Sequence, residues 1–213
     1  MDKISSLKKI FYLIIFSLLI YSTYWIYASI KFKGEIEYFI NNQEISIDQI
    51  YVTGFPYRLE SHIRNLSLER DQEDYLYLTI PHLKISISPF SFNKVFLQSN
   101  SSSLKFKNIA QELDIFNNQS RLSIVIENGL IKRSIFMLEE NEISYKNILF
   151  DYNKKLNNTI LDGKVNYIDN KLNGYLQLDI YDKNGGKKFA APISIDDNIL
   201  KLLFFELDLD NLF

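Results

Sequence analysis

Hydrophobic and polar positions divide this chain into two unlike parts. From Ile10 to Ile30 no residue carries a charge, and the run is apolar on every side. At about 1.5 Å per residue, twenty-one helical residues reach about 31 Å, the thickness of a bilayer's hydrocarbon core. After Gly34 the pattern changes to strict alternation, the mark of strands with one buried face. Ile45, Ile47, Ile50 and Val52 begin it, followed by Leu66-Ser67-Leu68, by Leu76, Leu78 and Ile80, and by Leu83-Lys84-Ile85-Ser86-Ile87. Leu104-Lys105-Phe106 and Leu122 to Ile126 continue the period, and Asn128-Gly129 after the latter is a hairpin signal. Ile143 to Tyr145, Ile148 to Tyr152, Val165 to Tyr167, Leu176 to Ile180 and Ile193 to Ile195 complete it.

This pattern predicts a mainly β protein: an N-terminal transmembrane helix, then an antiparallel curved sheet or sandwich of about ten short strands, with few helices. Pro81 and Pro89 are expected at strand ends. Polar loops are expected at Asn100 to Ser103, Asn153 to Asn158 and Lys183 to Lys188. Three segments stay open between helix and strand or helix and loop. Ile36 to Asn41 suits an extension of the first helix, and Ile109 to Phe116 a helical turn or a strand. Asp196-Asp197 before Ile199 to Phe205 reads either as an N-capped apolar helix or as a buried strand.

The flanks of the apolar run set its orientation. Lys3, Lys8 and Lys9 precede it and Lys31 and Lys33 follow, so the positive-inside rule places the N-terminus in the cytoplasm. Tyr21, Tyr24, Trp25 and Tyr27 crowd its C-terminal end like an interfacial aromatic belt. The run exceeds the apolar core of a cleavable signal peptide and lacks a small-x-small cleavage site. The expected organisation is therefore a cytoplasmic N-terminus over 1–9, a signal anchor over 10–30 and a periplasmic β-rich domain over 31–213, held in the inner membrane by one pass.

Composition narrows the partners. Of 24 basic and 26 acidic side chains, Lys3, Lys8, Lys9 and Asp2 precede residue 31, leaving the body with 21 and 25. A mildly acidic body without a basic stripe argues against nucleic acid, whose phosphates need clustered Lys and Arg. The chain has no Cys, which excludes disulfides, Cys-ligated zinc and Cys nucleophiles. Scarce Gly, Pro and Ala beside abundant Ile, Asn, Lys, Phe and Tyr is the composition of an AT-rich coding sequence. In such a chain the matches to the glycosylation acceptor pattern at Asn65, Asn100, Asn118 and Asn157 carry little weight.

Chemistry-bearing patterns are sparse. His62 and His82 show no metal-ligand spacing and read as surface or strand-end residues. The acidic groups at Asp71 to Asp74, Glu139 to Glu142 and Asp196-Asp197 lack calcium-loop spacing. No phosphate loop or nucleophile elbow is present. The expectation is a non-enzymatic protein with no cofactor and no metal.

One segment is more specified than its surroundings: Gly54-Phe55-Pro56-Tyr57-Arg58. Gly54 permits a positive-φ turn, Pro56 fixes its own φ and holds Phe55 extended, so a strand-to-strand corner is expected. A short N-terminal anchor followed by a Gly-Phe-Pro-Tyr-Arg corner and then strands resembles an uncharacterised family of alphaproteobacterial membrane-anchored envelope proteins, itself similar to the AsmA-like proteins. The resemblance covers about the first ninety residues. It implies a periplasmic β-rich body and a curved sheet whose apolar inner face shields lipid tails.

The functional expectation is a membrane-anchored protein that handles lipid or another hydrophobic ligand in an apolar groove. Leu76, Leu78, Ile80, Ile124 and Ile126 are its candidate lining. The alternative is a non-enzymatic envelope assembly or interaction module with a closed core. Expected partners are the membrane itself, phospholipid and other envelope proteins.

Overall fold

A computed structural model describes residues 2–43, 45–71, 75–108, 110–127, 130–149, 151–168, 171–181, 186–196, 199–202 and 205–208. A single helix, α1 (Asp2–Asn42), opens the chain, and everything described after it that is regular is strand. The strands are β1 (Gln49–Thr53), β2 (Leu59–Asp71), β3 (Tyr75–Ser88), β4 (Ser91–Ser99), β5 (Ser102–Lys107), β6 (Gln111–Asn117) and β7 (Gln119–Glu127). They continue as β8 (Leu130–Asn147), β9 (Tyr152–Ile168), β10 (Lys171–Tyr181), β11 (Lys187–Asp196), β12 (Ile199–Leu202) and β13 (Phe205–Asp208). All pair antiparallel in one sheet.

The sheet is a meander with two interrupted strands. β4 and β5 both run antiparallel to β3, one against Leu83 to Ser88 and the other against Tyr75 to Thr79. β6 and β7 likewise share β8 as a neighbour. Read as β4–β5 and β6–β7, these pieces reduce the order to eleven paths, each paired with the next in sequence.

The interruptions belong to a crease that crosses the sheet. Inward-facing alternation runs Leu59, Ser61, Ile63 and then resumes at Leu66, a step of three rather than two. The facing strand β3 takes the same step from Ile80 to Leu83, because Ile63 pairs with Leu83 and Leu66 with Ile80. Ser99 to Ser102 and Asn117 to Ser120 repeat it, then Leu138 to Asn141 on β8. On β9 it falls one pair further along, from Leu156 to Thr159. At each slip two outward residues stand together: Arg64-Asn65, Pro81-His82, Asn100-Ser101, Asn118-Gln119, Glu139-Glu140 and Asn157-Asn158. Asn65, Glu140 and Asn158 take left-handed backbone there, with φ of 52°, 53° and 53°, a conformation Asn tolerates better than most residues. Such bulge-like steps bend a strand and raise its twist.

Several local expectations change accordingly. Pro81 lies within β3, opposite the crease residue Asn65, rather than at a strand end. Asn153 to Asn158 belong to β9, and only Asn100-Ser101 of the expected Asn100 to Ser103 loop lies outside a strand. Ile148, Leu149 and Asp151, expected to be strand, lie in the β8–β9 turn, and Phe150 lies outside the described residues. Gln111–Asn117 is strand, and so are Ile199–Leu202 and Phe205–Asp208, so of the two readings open for each segment the strand holds. Asn128-Gly129, Lys183 to Gly185 of the expected Lys183 to Lys188 loop and residues 203–204 lie outside the described residues, while Lys187 and Lys188 belong to β11 rather than to a loop.

The helix does not end where the apolar run ends; it continues through Ile36 and Ile40 to Asn42. Its residues Trp25, Phe32, Ile36 and Ile40, spaced three to four apart with Ala28, form the stripe that packs on the inner face. Beneath them lie Leu59, Ile63, Leu66, Leu83 and Ile87, all buried. The helix thus covers the inner face of β1 to β4. At the other side of the sheet, Phe106, Leu113, Ile143, Leu176, Leu178, Ile193 and Ile195 bury one another in a single cluster. That cluster draws on β5, β6, β8, β10 and β11, with Leu161 and Val165 of β9 packed against it, so the sheet curls there and closes on its own side chains.

Candidate functional site

Between the helix-covered part and the self-closed part runs a strip of inner face that neither covers. A cavity of about 340 Å³ opens on it. Ile80, Leu83 and Leu97 reach it from the cluster under the helix, and Ile115 and Phe136 from the curled cluster. Leu78, Leu104, Leu122 and Leu138 complete its apolar lining. These side chains come from β3 to β8, and the alternation that brings them to one face is the period visible in the sequence.

Gln98, Arg121 and three residues of the crease supply the polar part of the same cavity. Ser102, Asn117 and Ser120 are the inward residues at the slip, and all three line it. Asn117 is 3% exposed and its Nδ2 donates to Ser102 Oγ at 2.7 Å. Its Oδ1 accepts no hydrogen bond among the described residues. A buried amide oxygen without a donor costs free energy on the order of 1–3 kcal/mol. The arrangement suits a largely apolar molecule.

Of the residues expected to line a groove, Leu78 and Ile80 line this cavity. Leu76 packs instead against the curled cluster beside Phe106. Ile124 and Ile126 are half-buried on the inward side of β7, outside the cavity. The sequence reading missed the crease residues Ser102, Asn117 and Ser120 and the aromatic lining residue Phe136. The slip of alternation at Asn117 to Ser120 was the available signal. The acceptor-like triplets at Asn65, Asn100, Asn118 and Asn157 all fall on the crease, where turn-tolerant Asn and small inward hydroxyls are required by the backbone.

The Gly54 to Arg58 corner connects β1 to β2 and docks on the helix. Gly54 has φ 99°, and a Cβ there would meet the Arg58 carbonyl oxygen at 2.7 Å. The Phe55–Pro56 peptide is cis, and Arg58 N–H donates to Gly54 O at 2.9 Å to close the turn. Tyr21 donates its hydroxyl to the Pro56 carbonyl, Trp25 Nε1–H donates to Arg58 O at 3.3 Å, and Tyr24 donates to Pro89 O at 2.7 Å in the β3–β4 turn. Phe55 lies edge-on to Trp25, and Phe90 stacks on Tyr21.

The two histidines are not strand-end residues. The β2–β3 register brings them together in mid-strand on the outer face, where His62 Nδ1 and His82 Nε2 are 3.3 Å apart. His62 Nε2 meets Thr53 Oγ1 at 3.0 Å, and Tyr51 stacks on the ring. Desolvation, then the neighbouring His82, lowers the His62 pKa below the usual imidazole value, and Lys84 adds to this against the opposing pull of Glu60. No group of three metal-ligating side chains forms among the described residues, and the pair lies on the face opposite the cavity.

No family model, curated protein or solved structure matches this chain. The geometry therefore carries the functional argument alone. Its firm elements are a mainly β body built as one antiparallel sheet and one N-terminal helix long and apolar enough to cross a membrane.

Proposed function

We propose that this chain is a single-pass inner-membrane protein of the bacterial envelope whose periplasmic sheet holds a lipid or similar hydrophobic molecule against its inner face. The observation that carries this reading is the uncovered cavity between two well-packed clusters, lined mostly by apolar side chains with Gln98, Ser102, Asn117, Ser120 and Arg121 as its polar members. Large uncovered apolar surface is uncommon on water-facing domains unless something occupies it. The lysine bias around the apolar run supports a body outside the cytoplasm. The Gly-Phe-Pro-Tyr-Arg corner supports kinship with the membrane-anchored envelope family and, through it, AsmA-like lipid handling.

Photo-crosslinking tests the reading at the cavity. A photoreactive phenylalanine analogue placed at Phe136 in the full chain should give a lipid-mass adduct on irradiation in cells. The same analogue at Phe96, exposed on the outward side of β4, should give none. Protein adducts at both positions in place of lipid would favour a second reading, an assembly or interaction module. The tight burial around Phe106 and Leu178, where the sheet closes on itself, is the feature favouring that alternative.

A further inference from the structure

The position of the body along the helix carries a second conclusion, which rests on the proposed membrane anchor. Contacts between body and helix begin at Tyr21, where the Pro56 carbonyl and the Phe55 and Phe90 rings meet it. Among the described residues, Lys8 to Ile20 project exposed along the helix ahead of that contact. The uncharged part of that projection, Ile10 to Ile20, is eleven residues, about 16 Å against a hydrocarbon core of about 30 Å. A body standing wholly in water would have to draw Lys8 and Lys9 deep into hydrocarbon to make up the difference. With Trp25 at the boundary facing the body, a core of about 30 Å, roughly 20 helical residues, ends near residue 6, within reach of snorkelling Lys8 and Lys9, and the residues that hold the two loops then lie at and just below that boundary.

The loops themselves are built for that position. Phe55, Tyr57 and Phe90 are 51%, 81% and 73% exposed, although they are large apolar or amphipathic rings. Phe55 and Phe90 stand with Tyr21, Tyr24 and Trp25 in one aromatic collar on the helix, and Tyr57 follows in the same corner. Aromatic rings with one wet and one apolar side concentrate at the membrane–water boundary. Arg58, whose side chain is 69% exposed, sits next to them and can reach phosphate groups at that level.

We infer that the β1–β2 corner and the β3–β4 turn are a bilayer-contacting surface, inserted among the headgroups and upper acyl chains of the leaflet facing the body. The occupant is lipid of the same membrane the helix crosses. The sheet then stands on the bilayer with its strands rising from it, and the corner that sequence alone could give no role is the foot on which it rests.

Because the chain has no cysteine, single-cysteine probes report position without interference. The full chain carrying Tyr57→Cys, Phe90→Cys, Leu13→Cys or Leu149→Cys is labelled with an environment-sensitive fluorophore and reconstituted in vesicles of phosphatidylcholine and phosphatidylglycerol. Leu149 marks the β8–β9 turn at the far end of the sheet. Quenching by shallow nitroxide-labelled lipid is expected to be several-fold stronger at positions 57 and 90 than at 149, with aqueous iodide showing the reverse order. Iodide reaching 57 and 90 as freely as 149, while Leu13→Cys stays lipid-quenched, overturns the bilayer contact and leaves the anchor intact. Iodide reaching position 13 as well overturns the anchor and this inference together.

Discussion

Asn141 and Thr159 bond to each other's backbone across the crease between β8 and β9. The Asn141 amide donates to Thr159 O at 3.1 Å, and the Thr159 hydroxyl donates to Asn141 O at 3.2 Å. Both residues are fully buried. They restore, through side chains, hydrogen bonding where the one-residue slip interrupts the ladder, and they do so next to the apolar cavity.

Removing that hydroxyl should therefore cost more than its size suggests. Thr159→Val keeps the shape and deletes one bond to a backbone oxygen, and a loss of about 1–1.5 kcal/mol is expected. Asn141→Ala deletes the donor to both Thr159 O and Leu138 O and should cost about 1–3 kcal/mol. Denaturant unfolding of the full chain in micelles measures both, and Asn157→Ser, exposed at the same crease, serves as the near-neutral comparison.

Gly54→Ala tests how far the corner depends on its backbone. The added Cβ meets a carbonyl oxygen rather than a movable side chain, at a φ that L-residues rarely adopt. A destabilisation of about 1–3 kcal/mol is expected. Because Trp25 donates to Arg58 O in this corner and is the only tryptophan, its emission should shift when the corner lifts from the helix. Unchanged emission and unchanged stability would show that the corner is not held as described.

His62 predicts a pH dependence with a definite sign. Its folded pKa lies below the ordinary value of 6.5, so the unfolded chain binds the proton more readily. The contribution of this group is complete above about pH 6.5 and declines as pH falls through that value toward the folded pKa. His62→Gln should flatten the melting temperature between pH 7.5 and pH 5.5 relative to the unaltered chain. A steeper decline in the variant would reverse the assignment.

Much of this architecture could be read from residue patterns, and the part that could not has one physical cause. Alternation revealed the strands and their inward residues, because a strand with one buried face must repeat every two residues. It also divided β3 at Pro81 and left Asn153 to Asn158 as a loop, because a slip within a strand and a gap between strands look alike in one sequence. Only the neighbouring strand distinguishes them: Ile63 and Leu66 face Leu83 and Ile80 across the same slip, so the pairing continues. The same reason hid the polar end of the cavity. Ser102 falls in the expected Asn100 to Ser103 loop and Asn117 and Ser120 lie between two apolar runs, and His62 and His82, twenty residues apart, meet only through the β2–β3 register.

Helix and body cannot be separated in testing the central claim. A fragment beginning at Gly34 would lose Trp25, Ala28 and Phe32, which cover Leu59 and Ile87, and would expose apolar surface unrelated to the cavity. The direct measurement is native mass spectrometry of the full chain, released from a lipid-free detergent, with extraction and identification of whatever co-purifies. The account predicts about one bound lipid per chain, reduced when Leu122→Gln and Leu138→Gln place amides in the cavity wall while the melting temperature stays within a few degrees. A ligand-free mass for the unaltered, folded chain would contradict it and would make the sheet a closed-core interaction module.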